Sequence, residues 1–75
     1  MKTTAEYKRE AAVLEVRSPG WIVLWGDYTR KFWAFAGWIA SEAIVIAATT
    51  VQEMERRMRL IEAHYPQRPT WTGQR

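Results

Sequence analysis

Residues 32–51 form a run of twenty residues with a single charge, Glu42. Charged segments flank it, with net +1 over residues 1–30 and +2 over residues 52–75. A block this apolar must leave water, either into lipid or into a protein core. The means of forming a core are few. A chain of 75 residues is one domain, and at that size folding buries only about 60% of the unfolded surface. The absence of cysteine excludes a disulfide framework and a thiolate metal site, and the single histidine, His64, excludes a multi-histidine site. No cofactor or metal is expected. Aromatic bulk from five tryptophans is what remains, supplemented by a partner chain or a membrane.

The N-terminal segment reads two ways. Thr3 and Glu6 are spaced as a capping box, and Tyr7, Ala11 and Leu14 follow at i, i+4 and i+7 of one helical face. Leu14-Glu15-Val16-Arg17, however, alternates apolar and polar as a half-buried strand does. The reading favours a short helix to about Glu10 and a strand near Ala12–Arg17. Ser18-Pro19-Gly20-Trp21 has type II turn chemistry, with proline presetting φ and glycine accepting the positive φ. Trp21–Trp25, Lys31–Ala36 and Ala43–Ala47 follow as strand candidates, rich in β-branched and aromatic residues. Thr50 and Glu53 then form a second capping-box pair. Val51, Met54, Met58, Ile61 and Tyr65 make one apolar stripe, so a helix is expected over Val51–Tyr65, stopped by Pro66. Glu53 precedes Arg57, and Glu55 precedes Arg59, by four residues, the favourable order for helix ion pairs. Residues 1–65 are read as one domain and 66–75 as a polar, proline-containing tail.

The expected fold is therefore α+β: a three- or four-stranded antiparallel meander with the C-terminal helix on one face. The alternative is a transmembrane helix over about 32–51 that continues into a cytosolic helix. Twenty residues suffice to span a bilayer, and Arg30, Lys31, Trp33 and Trp38 suit an interfacial anchor. Seven large apolar side chains contribute roughly −2 to −4 kcal/mol to insertion. Glu42 at the centre costs about +2.5 to +3.5 kcal/mol, so the sum is near zero and a partner for the acid would be required. Gly37 and the β-branched Ile44-Val45-Ile46 fit strands and turns better than a helix. The first 17 residues are charged and lack an apolar signal core, so a cytoplasmic protein is expected, with single-pass membrane attachment as the alternative.

Few residues suggest chemistry. His64 has no nucleophile or carboxylate at catalytic spacing, and at a helix C-terminus it suits the dipole instead. An enzyme is not expected. Arg56, Arg57 and Arg59 could follow phosphates, but interleaved glutamates make them a salt-bridged helix face. Trp21, Trp25, Trp33 and Trp38 could stack bases, yet only Arg30 and Lys31 lie near them, so core packing is the reading and nucleic acid is not the expected partner. Leu60 falls off the apolar stripe, about 180° from Val51 at roughly 100° per residue. Leu60, Trp71, Arg56 and Arg59 are the expected partner-contacting residues. Pro66-Gln67-Arg68-Pro69 has the PxxP form, a common pattern. Glu42 is a solvated turn residue in the sheet model and the functional acid in the membrane model.

Pro19-Gly20-Trp21, Trp25-Gly26, Tyr28-Thr29-Arg30 and Phe32-Trp33-Ala34, with Met54 to Met58 and Glu62, resemble small tryptophan-rich actinobacterial proteins without an assigned activity. The resemblance covers about residues 18–65 and implies a strand-strand-strand-helix unit. The element order is also similar to three-stranded DNA-binding modules, which need several arginines on the sheet that this chain lacks. The function expected from the sequence is a small non-enzymatic interaction module, working as a homodimer or with a protein partner.

Overall fold

The computed structural model describes residues 1–39 and 41–67. The elements run α1 (Thr4–Val16), β1 (Trp21–Gly26), β2 (Lys31–Ala36), β3 (Val45–Ala48) and α2 (Val51–His64). The fold is α+β, with one antiparallel sheet of order β1-β2-β3 and a helix at each end of the chain.

The N-terminal capping box forms as its spacing implies. Glu6 N–H donates to Thr3 Oγ1 at 3.2 Å, and Thr3 N–H donates to Glu6 Oε1 at 2.7 Å. The expected break near Glu10 and the strand over Ala12–Arg17 are not found, because α1 continues to Val16. Four alternating residues satisfy both periods equally, and packing decides between them. The extra helical turn buries Leu14 completely beside Ala11. It also brings Glu15 to the sheet, where its carboxylate accepts the Val23 N–H at 2.8 Å. The Pro19–Gly20 turn is present with Gly20 at φ +88°, and the Trp21 N–H closes it onto Ser18 O at 3.1 Å. It joins a helix to a strand rather than two strands. The sheet therefore has three strands and not four.

Alternation places Trp21, Val23 and Trp25 of β1 against Ala36, Ala34 and Phe32 of β2 on one face. Ala48 of β3 joins them opposite Phe32. Both helices cover this face, α1 over β1 and α2 over β3 and β2. Met54 and Met58, fully buried, fill the space above the small residues Ala34, Ala36 and Ala48. The aromatic end of the core is Tyr7 stacked on Trp25 at 4.0 Å, with Phe32 edge-on to Trp25 at 4.8 Å. Such contacts add about 0.5–1.5 kcal/mol each beyond area burial.

The C-terminal helix lies where its stripe predicts. Thr50 caps it by accepting the Glu53 N–H at 3.1 Å. The reciprocal arm of the expected capping box does not form, because the Glu53 carboxylate pairs with Arg57 at 2.8 Å instead. The helix ends at His64, with Tyr65 as the capping residue before Pro66. The transmembrane alternative is overturned, since residues 32–51 contain β2, a turn and β3. Among the described residues no helix is long and apolar enough to cross a membrane. The physical reasons are those that already weighed against a span: β-branched residues in β3, Gly37 at the end of β2, and an acid at the midpoint.

Met58→Ala removes a fully buried side chain between helix and sheet. It is expected to lower unfolding free energy by about 2–5 kcal/mol in chemical denaturation, and Met58→Lys to abolish the folded state. Unchanged midpoints for both variants would rule out this core.

Candidate interaction surface

Among the described residues no helix lies over the second face of the sheet. The same alternation that sends Trp21, Val23 and Trp25 inward sends Ile22 and Leu24 outward, opposite Phe35 and Trp33 of β2. Ala47 and Val45 of β3 continue these rows. Ile22, Leu24 and Val45 are 52%, 49% and 45% exposed. Trp33, Phe35 and Ala47 are half-buried. Six apolar side chains thus form two cross-strand rows over all three strands. Lys31, paired with Gly26 at one margin, is the charged residue of this face.

Trp33 is anchored at its polar atom. Its indole N–H donates to Thr29 Oγ1 at 3.0 Å. A Cβ on Gly26 would stand 2.9 Å from Trp33 Nε1 and 2.5 Å from Thr29 Oγ1, so glycine provides the space in which this corner packs. The one polar atom of the Trp33 ring is already satisfied from within the chain. Covering this face therefore leaves no indole N–H unpaired, a loss that would cost about 1–3 kcal/mol.

A helix side chain reaches each outer edge of the sheet. Glu15 of α1 accepts from Val23 N–H on β1, and Arg57 Nη1 of α2 donates to Ala47 O on β3 at 3.2 Å. Charged side chains on an edge discourage addition of a further strand. The open face, rather than either edge, is the accessible apolar part of the sheet.

The residues singled out from the sequence lie elsewhere. Leu60 is 66% exposed on α2, and Arg56 is exposed on the same helix. Arg59 is tied into a polar network, donating to Glu62 at 2.7 Å, Glu55 at 3.0 Å and the buried Ser18 Oγ at 3.2 Å. Trp71 lies outside the described residues. Of the tryptophans read as core, Trp21 and Trp25 are buried and Trp38 is half-buried, with its N–H donating to Tyr65 O at 2.7 Å. Trp33 instead belongs to the open face. His64 is exposed in the last turn of α2. Among the described residues no cluster of three or more potential ligands could hold a metal.

Glu42 is exposed in the turn before β3, and its carboxylate accepts the Tyr65 O–H at 2.9 Å. That hydrogen bond, with the negative charge beside it, raises the Tyr65 pKa above the usual tyrosine range. At the opposite end of the sheet, Thr4 Oγ1 donates to Asp27 at 2.7 Å and Trp25 Nε1 donates to the same oxygen at 3.3 Å. These bonds, aided by Arg30, hold Asp27 below the usual aspartate range.

The open face was not recognised from the sequence, although β1 held a signal. Trp21-Ile22-Val23-Leu24-Trp25 is apolar at every position, and an antiparallel strand with one solvated face should alternate. An unbroken apolar strand requires cover on both sides. Compared with known proteins, the chain matches no family model, no curated protein and no solved structure.

Because the Tyr65 pKa is raised on folding, the Tyr65–Glu42 bond contributes at pH values below the ordinary tyrosine range and is lost as pH rises through the raised value. Glu42→Gln is expected to return Tyr65 toward its ordinary titration, followed by NMR of the tyrosine Cζ, and to change stability within about ±0.5 kcal/mol. An unaltered Tyr65 titration in this variant would show that the pair does not form.

Proposed function

We propose that the chain is a non-enzymatic protein–protein interaction module and that the open sheet face is its docking surface. The observation that carries this reading is the contiguous set Ile22, Leu24, Trp33, Phe35, Val45 and Ala47, exposed or half-buried on a sheet whose other face is packed against two helices. From strand spacing and rise, the patch measures about 14 Å by 13 Å, or roughly 180 Å² in plan. Side-chain relief brings its accessible area to a few hundred Å², the size of the largest apolar patch on a typical monomer, which is often functional.

The chemistry of the face favours protein over nucleic acid. Phosphate recognition needs several cations, and this face offers Lys31. Arg30 is turned away over the Tyr7 and Trp25 rings, 5.7 Å from each centroid. Leu60 and Arg56 remain exposed on α2, on the covered side of the sheet, where they could add a secondary contact.

Leu24→Arg puts a charge in the middle of the patch without touching the core. The folded state is expected to persist, read by circular dichroism and thermal midpoint. Affinity purification of the tagged chain from its own cells should recover a partner with the unmodified protein and lose it with Leu24→Arg. Leu60→Arg should retain it. Retention of the same partner by a folded Leu24→Arg variant would exclude this face.

A further inference from the structure

We propose that the C-terminal segment 68–75, which lies outside the described residues, returns over the open face and lays the Trp71 ring on the row Ile22, Phe35 and Val45. This inference rests on the reading of that face as a docking surface and names a segment of the same chain as its resident cover.

The place to which the described chain leads carries the proposal. After α2 the chain is held at two points. Trp38 Nε1 donates to Tyr65 O at 2.7 Å, and Gln67 Nε2 donates to Pro19 O at 2.6 Å. The Gln67 amide lies against Gly20, so closely that a Cβ there would stand 2.5 Å from its Oε1. Gly20 directly precedes β1, and its carbonyl accepts the Gly37 N–H just beyond β2 at 2.8 Å. Gln67 is thus fixed against the end of the sheet at which Trp21 pairs with Ala36. The first outward row from that end is Ile22, Phe35 and Val45, and the second is Leu24, Trp33 and Ala47.

Reach selects the first row. Ile22 follows Pro19 by three residues, at most about 11 Å of chain, and Trp71 follows Gln67 by four, about 14 Å at full extension. The indole extends beyond its own Cα, which brings the ring over Ile22 and Phe35. The second row lies about 7 Å further along the strands. Composition agrees with this placement. In Arg68-Pro69-Thr70-Trp71-Thr72-Gly73-Gln74-Arg75 the one large apolar side chain is Trp71, and the charges are positive. The cation of the face, Lys31, stands at the opposite, Gly26 margin, so the near row meets the segment without like charges.

Area favours a tethered occupant over a free one. A patch of roughly 180 Å² in plan is far below the about 1,200–2,000 Å² buried in stable standard-size interfaces. A short linker presents its cargo at an effective concentration in the mM range, so a contact too small to hold a separate molecule holds a tethered one. One tryptophan buries about 150–250 Å², which matches the patch. A separate protein docking on this face displaces the ring and makes further contacts around it.

Methyl NMR of the full chain, compared with Trp71→Ser, tests the inference. The substitution lies outside the folded elements, so the circular dichroism spectrum and thermal midpoint are expected to stay unchanged. Loss of the ring current should shift the Ile22 and Val45 methyl resonances and leave those of Val23, on the covered face, in place. The shifts should be the same from about 1 mM to about 0.1 mM, because an intramolecular contact does not depend on concentration. Unmoved Ile22 and Val45 resonances, equal shifts at Val23, or shifts that fade on dilution would each overturn the inference. If Ile22 and Val45 are unmoved while Leu24→Arg still loses its partner in the purification experiment, the C-terminal segment is excluded and the docking surface stands. If the Trp71 ring lies on the row while a folded Leu24→Arg variant retains the partner, the self-contact stands and the face is excluded as the partner's site.

Discussion

The rest of the structure depends on the sheet being apolar on both faces while the two helices among the described residues both cover the same one. Strand β1 places Trp21, Val23 and Trp25 on one side and Ile22 and Leu24 on the other. Both helices go to the side with the larger aromatic surface. There, α1 supplies Tyr7, Ala11 and Leu14, and α2 supplies Met54, Met58 and Ile61. A third helix or a second sheet is the usual cover for the opposite face. Among the described residues neither is present, and the opposite face stays open.

Polar contacts fix how the helices sit. Trp21 Nε1 donates to Glu62 at 2.9 Å, and Glu62 also accepts from Arg59. Arg59 reaches Glu55, which in turn accepts from Arg17 at the end of α1. Ser18, 1% exposed, accepts from Arg59 and so is satisfied although buried. This chain of bonds links the end of α1, the start of β1 and the middle of α2. Individual surface ion pairs contribute only about 0–1 kcal/mol. Here they tie α1, β1 and α2 together, while the apolar stripe of α2 itself turns Met54 and Met58 inward and leaves Leu60 outside. Each of Trp21, Trp25, Trp33 and Trp38 has a hydrogen-bonded indole N–H, to Glu62, Asp27, Thr29 and the Tyr65 carbonyl. Large aromatic surface is thus buried without leaving donors unpaired.

The open face and the covered face differ in how they meet water. On the covered face Met54, Met58 and Phe32 are removed from solvent, and Trp21 and Trp25 nearly so. On the open face the side chains shield one another only in part, as the intermediate exposure of Trp33 and Phe35 beside the half-exposed Ile22 and Leu24 shows. That residual apolar area is what the proposed docking would bury, because burial of apolar surface is the main favourable term in most protein contacts. Glu15 and Arg57 at the two edges oppose addition of a further strand.

Local chemistry in the sequence was enough to determine α2, both helix caps, the Pro19–Gly20 turn and the runs that became β1, β2 and most of β3. Periodicity, capping residues and glycine at a positive φ act within a few residues and need no distant partner. The glutamate–arginine pairs of α2 were legible for the same reason, being spaced one helical turn apart. Tertiary structure decided the remainder. Leu14-Glu15-Val16-Arg17 fits a helix or a strand equally well, and became helix because Leu14 finds the core and Glu15 finds the edge of β1. Arg59 was read as part of a salt-bridged helix face, and only the approach of Ser18 makes it a link between elements. Trp33 could not be distinguished from the core tryptophans by composition, because residues on opposite faces of a sheet differ only in register and in which face the helices choose. That choice is a property of the assembled chain, and it alone left Ile22, Leu24, Trp33, Phe35, Val45 and Ala47 uncovered.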